Sequence, residues 1–148
     1  MCNCKKNKQE HHGLGRSCGG FSTKIHGVCD ALGMPIHFTI TPGQTSDYTQ
    51  AIHCISGFTF KALLADKGYD SNAFRQHIEG KGSIPVIPAR KNRIEPVQHD
   101  RHLYKERHKI ECLFGFLKHY RRLFAGFDKS VVKFKGFLHF VASLQWLK

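Results

Sequence analysis

The sequence predicts a mixed α/β fold, in which helices flank a sheet of mixed strand directions. β-rich runs separated by turn residues occupy the first third of the chain, and short apolar runs then alternate with helical periodicity. Two amphipathic segments near the C-terminus complete the pattern. The length of 148 residues suits one compact domain, and a hydrophobic content of 41% provides a core.

The N-terminal part of this fold is predicted to be a β-hairpin followed by a helix. Residues 21–30 and 36–43 are rich in strand-forming side chains, and a turn containing Gly and Pro lies between them. Ser46 or Asp47 is placed to cap a short helix that ends near Ile55.

The middle of the chain continues with strand, helix and strand. Residues 61–66 form a short apolar run typical of a buried strand. Asp70 or Ser71 is placed to cap a helix that ends near Glu79. Residues 82–90 predict another strand, and the two prolines in it indicate an edge position or a short strand.

Two helices are predicted at the C-terminal end, over residues 101–122 and 129–146. Residues 1–20 are polar, basic and glycine-rich, and we interpret them as a loop or arm. The predicted organisation is therefore an arm over residues 1–20 and one domain over residues 21–148.

The charge of the chain indicates a polyanionic partner. Lys and Arg number 23 against 11 Asp and Glu, a net charge of +12, and nucleic acid is the commonest partner of such proteins. A merely soluble basic protein is the alternative. The six scattered cysteines follow no secretory signal and indicate reduced thiols in a cytoplasmic protein. No apolar stretch approaches the roughly 20 residues that span a bilayer, so no membrane partner is expected.

The most informative residues are Tyr104, Arg107, Glu111 and Lys118 in the run LYKERHKIECLFGFLK. Their spacing, Y-x2-R-x3-E-x6-K, predicts that all four share one face of a single helix, because each residue turns the helix by about 100°. A carboxylate flanked by cations suggests metal-assisted chemistry on a polyanion. The alternative for Glu111 is an exposed carboxylate paired with a cation one turn away.

A second carboxylate, Asp66, lies where a predicted strand runs into a glycine-containing loop. Asp66 and Glu111 come from different elements and would together hold Mg²⁺ or Mn²⁺ through their oxygen atoms, with a third carboxylate completing such sites. The alternative for Asp66 is an acid that forms a turn. Asp70 is interpreted as a helix cap, Tyr69 as a packing residue, and Lys67 as a further phosphate contact.

These motifs carry a family resemblance. The Y-x2-R-x3-E-x6-K run, the D-x-G-Y-D segment and the stretch GRSCGGFSTKIHGVCDALGMPIHFTITPGQTSD resemble the bacterial insertion-sequence transposases with a DDE catalytic domain. The resemblance covers residues 13–146. It implies an RNase H-like fold with catalytic acids Asp, Asp and Glu, of which the second Asp would be Asp66 and the Glu would be Glu111.

The resemblance also implies a function. It implies metal-dependent cleavage at transposon ends and strand transfer into target DNA, with Tyr104, Arg107 and Lys118 contacting DNA around the catalytic Glu. The double-stranded DNA would be bound in the bacterial cytoplasm, at the nucleoid. A homodimer, or a complex with the product of an upstream reading frame, follows by analogy.

The first catalytic Asp of that family lies on the first strand, upstream of the GRSCGG segment. Residues 1–12 contain no aspartate, while Asp30 and Asp47 match other family positions. The resemblance therefore implies a sheet that lacks its first strand, in a frameshift product or a decayed relic. One alternative is an inactive fragment that only binds DNA or interferes with an intact transposase. Another is an unrelated basic protein such as an RNA-binding module, although no RNP-like motif is present.

Two further groups of residues suggest binding. A group of cysteines and histidines near the N-terminus suggests a zinc site, namely Cys2, Cys4, His11, His12 and Cys18. This group lacks the paired C-x2-C spacing of structural zinc sites, which argues against that interpretation. Basic clusters near the C-terminus fit either a DNA-facing surface or a solvated face, and they comprise Lys118, His119, Arg121, Arg122, Lys129, Lys133 and Lys135.

Overall fold

The computed structural model describes residues 15–17, 20–95, 97–124 and 130–147. Its strands are β1 (Gly15–Ser17), β2 (Gly20–Cys29), β3 (Pro35–Pro42), β4 (Ala62–Leu64) and β5 (Ile84–Val86). Its helices are α1 (Asp47–Ile55), α2 (Asn72–Gly80), α3 (Arg101–Lys105), α4 (His108–Lys118), α5 (Arg121–Phe124) and α6 (Val131–Trp146), with one 3₁₀ turn at Lys67–Tyr69. The prediction of a mixed α/β arrangement is confirmed.

The predicted hairpin is formed by β2 and β3, which pair antiparallel along nearly their whole length. Asp30 shapes the connecting turn, because its Oδ1 accepts hydrogen bonds from the backbone N–H groups of Leu32 and Met34, each at 2.8 Å. Gly33 follows with a φ of +87°, a conformation that favours glycine. Residues 15–17, expected to belong to an arm, form the short strand β1 beside residues 20–22 of β2.

The strands form two separate sheets. β1, β2 and β3 make an antiparallel sheet in that order, and β4 and β5 make a two-stranded parallel sheet. The strands expected within 61–66 and 82–90 are therefore both present, though each is only three residues long. Pro85 lies in β5, which among the described strands pairs only with β4, so the edge position indicated by the prolines is confirmed.

The helices pack against the sheets through two clusters of buried apolar side chains. One cluster joins the hairpin to the C-terminal helices through the buried side chains of Phe38, Leu113, Leu117, Leu138 and Val141. The other joins α1, α2 and the residues after β5 through Ala51, Ile55, Phe74, Ile78 and Ile87. Both clusters bury apolar area, which is the main favourable term in folding.

The single helix predicted over residues 101–122 is wrong, because the structure divides it into α3, α4 and α5. Glu106 and Arg107 keep right-handed helical angles. Their hydrogen bonds, however, span three residues: the Arg107 N–H donates to the Tyr104 carbonyl at 3.0 Å, and the Ile110 N–H to the Arg107 carbonyl at 3.2 Å. This tighter 3₁₀ pattern changes the angular spacing of side chains. The last helix is confirmed as α6.

The predicted helix caps are only partly correct. Ser71 caps α2, since its Oγ accepts a hydrogen bond from the Phe74 N–H at 3.2 Å. Asp70 is instead buried against arginine side chains, so its interpretation as a helix cap is wrong. Ser46 occupies the N-cap position of α1 without a side-chain capping bond, and Asp47 pairs with Lys24 at 3.0 Å.

Other sequence expectations concern the surface and the termini. None of the described helices is both long and apolar enough to cross a membrane. Cys29, Cys54 and Cys112 carry free thiols. The residues of the suggested zinc group, together with Lys129, lie outside the described part of the chain.

Candidate active-site cleft

A cleft of about 750 Å³ lies between the two sheets. Its walls come mainly from four parts of the chain: the second half of β2, α1 and the loop after it, β4, and the region of α3 and α4. Asp66, Arg107 and Glu111 are all among its lining residues. The two carboxylates that the sequence singled out, 45 positions apart, therefore border the same cleft.

Asp66 is held by the backbone at the end of the β4 segment. It lies two residues after β4 in an extended conformation, and its Oδ1 accepts a hydrogen bond from the Lys67 N–H at 2.8 Å, at the start of the 3₁₀ turn. The residue is exposed. The strand fixes its position while the carboxylate remains accessible from solvent.

Glu111 lies in the first turn of α4 and forms an ion pair with Arg107. The distance from Arg107 Nη2 to Glu111 Oε1 is 2.6 Å. The Arg107 guanidinium also lies over the ring of Tyr104, with 5.5 Å between its Cζ and the ring centroid. Burial lowers the pKa of Arg107, but the nearby Tyr104, Glu111 and Asp66 raise it by a larger total amount. Arg107 therefore pairs directly with Glu111 and also experiences the negative charge of Asp66.

Lys118 does not join this group. It is the last residue of α4, two helical turns beyond Glu111 and displaced by a rise of about 10 Å. It is exposed and does not line the cleft. The structure thus brings three of the four signature residues together and leaves the fourth on the solvent side of α4.

Asp70 is the residue whose role sequence reasoning missed. Its carboxylate is 1% exposed and accepts hydrogen bonds from Arg75 Nε at 2.8 Å, Arg93 Nη1 at 2.7 Å and the Arg90 N–H at 2.9 Å. Burial by itself raises the pKa of this carboxyl, but these hydrogen bonds and charges lower it below its ordinary value. No local spacing signals these partners, since two of the three follow at 20 and 23 positions.

One of these arginines, Arg90, also holds the loop that follows Asp66. The Arg90 guanidinium donates hydrogen bonds to the backbone carbonyls of Lys67, at 3.1 Å, and Gly68. Tyr69 packs beside Phe74 with 6.4 Å between ring centroids. Its burial, with the nearby Asp47, Cys54 and Asp66, raises the pKa of Tyr69 to about 12. The segment from Asp66 to Asp70 is therefore fixed from both ends.

Comparison with known proteins identifies the family of the chain. Residues 2–125 match the family described as Transposase DDE domain. The chain belongs to the DDE transposase family. It is similar to a Brucella ovis protein named as a transposase for insertion sequence element IS6501, with 36% identity over 132 residues, 86% of this chain and 99% of that protein. It is also similar to a Burkholderia cepacia protein named as a transposase for insertion sequence element IS402, with 32% identity over 119 residues.

The second similarity covers 72% of this chain but 54% of the Burkholderia protein, so the chain spans about half the length of that relative. No solved structure matches the chain significantly. Membership of the DDE family implies an RNase H-like fold, and it excludes the interpretation of the chain as an unrelated basic RNA-binding module.

A DDE domain also implies the use of a divalent metal ion. Carboxylates at the rim of a cleft are the kind of ligand that Mg²⁺ and Mn²⁺ bind, so Asp66 and Glu111 fit in chemical type. Within the described ranges, no three His, Cys, Asp or Glu side chains gather closely enough to hold a metal ion. The residues present therefore fit part of a metal site.

Proposed function

We propose that this chain supplies Asp66 and Glu111 to the phosphodiester-transfer site of a DDE transposase, and that it acts on the DNA of transposon ends and target. The observation that carries this proposal is the position of the two carboxylates, on different elements but at one cleft, which Arg107 also lines while paired to Glu111. The charge of +12 supports DNA as the partner.

In this proposal Asp66 and Glu111 hold Mg²⁺ or Mn²⁺. A bound divalent ion supplies activation of the attacking oxygen and stabilisation of the leaving oxygen of a phosphodiester. Arg107 contacts a DNA phosphate, because a guanidinium matches phosphate oxygens in charge and shape. Tyr104 keeps the guanidinium oriented by lying against its face. Lys118 contacts the DNA backbone further from the reacting bond.

The proposal includes the organisation of the protein. Residues 21–148 would form a partial catalytic domain and residues 1–20 a basic arm. The first strand of the sheet, with the first catalytic Asp, would come from outside the described residues. A homodimer or the product of an upstream reading frame would complete the assembly, at the nucleoid in the bacterial cytoplasm.

Binding of Mn²⁺ tests the assignment of the carboxylates without requiring catalysis. The free-ion signal in electron paramagnetic resonance is followed as the chain is added, for the wild type and for Asp66→Asn and Glu111→Gln. Glu79→Gln is the matched control, because Glu79 is exposed on α2 and does not line the cleft. We expect both cleft variants to weaken Mn²⁺ binding by about tenfold or more, and the control to leave it unchanged. Equal binding by all four proteins would contradict the proposal.

The second candidate is a fragment that binds DNA without cleaving it. It is favoured because, among the described residues, no three His, Cys, Asp or Glu side chains gather closely enough to hold a metal ion. Titration of duplex DNA over a range of salt concentrations distinguishes the two functions when it is combined with a cleavage assay in Mn²⁺. Both candidate functions include DNA binding. If Lys118 contacts one phosphate, Lys118→Ala should therefore reduce the slope of the logarithm of the DNA-binding constant against the logarithm of the salt concentration by about 0.9 in either case. Cleavage that Glu111→Gln abolishes supports the first function, and binding without cleavage supports the second.

A further inference from the structure

A short 3₁₀ turn orients the carboxylate of Asp66. The Asp66 Oδ1 accepts a hydrogen bond from the Lys67 N–H at 2.8 Å, and the Asp66 backbone carbonyl accepts one from the Tyr69 N–H, also at 2.8 Å. Both donors belong to the turn at Lys67–Tyr69. The direction in which this carboxylate projects therefore depends on how firmly the turn keeps its conformation.

The residues of the turn stabilise it only weakly by themselves. It is three residues long with no buried residue, and the hydrogen bonds of a 3₁₀ turn have poorer geometry than those of an α-helix. Its middle residue is Gly68, and glycine loses more conformational freedom on folding than any other residue. A turn of this kind is expected to fluctuate unless another part of the chain holds it.

The side chain of Arg90 holds the turn at two points. Its Nε donates a hydrogen bond to the Lys67 carbonyl at 3.1 Å, and its Nη2 donates one to the Gly68 carbonyl. These are consecutive carbonyl groups of the turn. A planar guanidinium carries donors in fixed directions and binds both carbonyls at once, whereas a lysine offers a single nitrogen on a flexible stem. The two-point contact therefore fixes the orientation of the turn.

The backbone of Arg90 is anchored in turn by buried groups. Its N–H donates to Asp70 Oδ2 at 2.9 Å, and the side chain of Asp70 is 1% exposed. Arg75 in α2 holds the segment that leads to Arg90, since its Nη2 donates to the Ile87 carbonyl at 2.6 Å. On the other side of Arg90, Arg93 Nη1 donates to Asp70 Oδ1 at 2.7 Å. Arg90 therefore reaches the turn from a segment that is tied to α2.

We propose that Arg90 is a positioning residue for the metal site: by holding the carbonyls of Lys67 and Gly68, it keeps the Asp66 carboxylate in the orientation that binds a divalent ion. Arg90 is exposed and does not line the cleft, so it acts on the ion through the turn and not by contact. The other role open to an exposed arginine in a chain of charge +12 is a contact with a DNA phosphate. In the structure, however, two donors of this guanidinium are already bound to the turn.

This role of Arg90 rests on the proposed function where it concerns the metal ion, and it deepens that function by adding a residue that sequence reasoning did not single out. The effect of Arg90 on the turn, and on the hydrogen bond between Asp66 and the Lys67 N–H, is independent of the metal. It is measurable without metal or DNA.

Exchange of backbone amide protons with water, followed by NMR in the absence of metal, tests the effect on the turn. The variant is Arg90→Lys, which keeps the positive charge but loses the planar pair of donors. We expect the amides of Lys67 and Tyr69 to exchange faster by about threefold to tenfold in this variant. The Lys67 amide reports its bond to the Asp66 carboxylate, and the Tyr69 amide reports the turn itself.

Two controls separate this effect from a general loss of structure. Lys91→Ala is the matched variant, because Lys91 is the next residue along the chain, is exposed and carries the same charge. It should leave the exchange of both turn amides unchanged. The Ala65 amide, which donates to the Val86 carbonyl at 3.3 Å, reports whether β4 and β5 remain paired, and its exchange should be unchanged in both variants.

Titration with Mn²⁺, followed by electron paramagnetic resonance, tests the effect on the metal site. Arg90→Lys should weaken Mn²⁺ binding by about tenfold, as expected for a group that orients a metal ligand, and Lys91→Ala should leave it unchanged. When Asp66 is already replaced by Asn, the Arg90→Lys substitution should have no further effect, because Arg90 acts only through that carboxylate. A residue that merely stabilised the fold would not show this dependence on Asp66.

Three results would overturn the role of Arg90. One is unchanged exchange of the Lys67 and Tyr69 amides in Arg90→Lys, and a loss of DNA affinity with that result would make Arg90 a phosphate contact instead. Another is wild-type Mn²⁺ binding by Arg90→Lys although Asp66→Asn weakens it. The third is an effect of Arg90→Lys that persists in full after Asp66→Asn. Faster exchange of the turn amides, together with Mn²⁺ binding that Asp66→Asn leaves unchanged, would contradict the proposed function and leave Arg90 as the residue that positions the Asp66 carboxylate.

Discussion

Replacing Asp70 by Asn should destabilise the protein strongly, although Asp70 does not line the cleft. The change removes the negative charge that neutralises Arg75 and Arg93 while keeping almost the same side-chain volume. Arg75 then remains buried, with a side chain 6% exposed, and keeps its hydrogen bond to the Ile87 carbonyl at 2.6 Å but loses the negative charge that neutralises it. The variant therefore tests whether the buried charge pairing, rather than packing, holds this part of the fold together.

The magnitude follows from the burial of the pair. Removing one partner of a buried ion pair costs about 3–5 kcal/mol, because the other charge stays in a poorly solvated site. Natural domains are stable by about 5–15 kcal/mol, so this loss is a large fraction of the total. For a chain of this size, each kcal/mol lowers the melting temperature by about 2–4 °C, and the expected decrease is about 6–20 °C.

Urea denaturation followed by circular dichroism at neutral pH measures this loss. Asp47→Asn is the matched control, because Asp47 forms an ion pair with Lys24 at 3.0 Å in which both side chains are more than a third exposed. Exposed pairs contribute about 0.2–1 kcal/mol, so the control should change stability little. If Asp70→Asn costs no more than Asp47→Asn, the buried network does not stabilise the fold and the reasoning is refuted.

The pH dependence provides a second test of the same network. Burial raises the pKa of the Asp70 carboxyl, but the hydrogen bonds from Arg90, Arg75 and Arg93 together lower it below the ordinary value. Because the folded pKa lies below the unfolded value of about 3.9, the stabilisation is complete above that pH and is lost as the pH falls through the folded pKa. The stability difference between wild type and Asp70→Asn should therefore shrink below about pH 4. A difference that stays constant down to pH 3 would contradict this account.

Three further predictions concern the core, the cleft and the hairpin. Leu117→Ala should cost about 2–5 kcal/mol in urea denaturation, because Leu117 is fully buried between the hairpin and α6. Glu111→Gln should change the free energy of unfolding by less than about 1 kcal/mol, since its pair with Arg107 is partly exposed; a larger loss would show a structural role. Burial lowers the pKa of His26, whose Nε2 lies 2.8 Å from Thr41 Oγ1. The contribution of the neutral His26 ring to the free energy of unfolding should therefore be complete above about pH 6.5 and lost at lower pH. When denaturation is measured from pH 7 to 5, the free energy of unfolding of His26→Asn should depend less on pH than that of the wild type.

Local patterns in the sequence predicted much of the fold. The hairpin, the short strands β4 and β5, the helix cap at Ser71 and the helix α6 each depend on residues that are neighbours in sequence, so propensity and periodicity identified them. The position of Asp66 at the end of a strand segment followed from the same kind of pattern. The family motifs added the role predicted for Glu111, which stays a prediction.

Helical spacing alone was less reliable for the signature residues. The pattern from Tyr104 to Lys118 assumed a uniform turn of about 100° per residue. In the structure, the backbone hydrogen bonds around Glu106 and Arg107 span three residues instead of four, so the turn per residue is not uniform there. Tyr104 still reaches Arg107, because an arginine side chain is long enough to contact an aromatic ring across the change in helix type.

The sequence by itself determined most of the secondary structure elements, the family and the two carboxylates on which the proposed function depends, because each is encoded in short-range spacing. The tertiary structure decided which distant groups meet. It placed Asp66 and Glu111 at one cleft and buried Asp70 among arginines up to 23 positions away. These contacts depend on how helices and strands pack around a shared apolar core, and packing between distant segments leaves no periodic signal in one sequence.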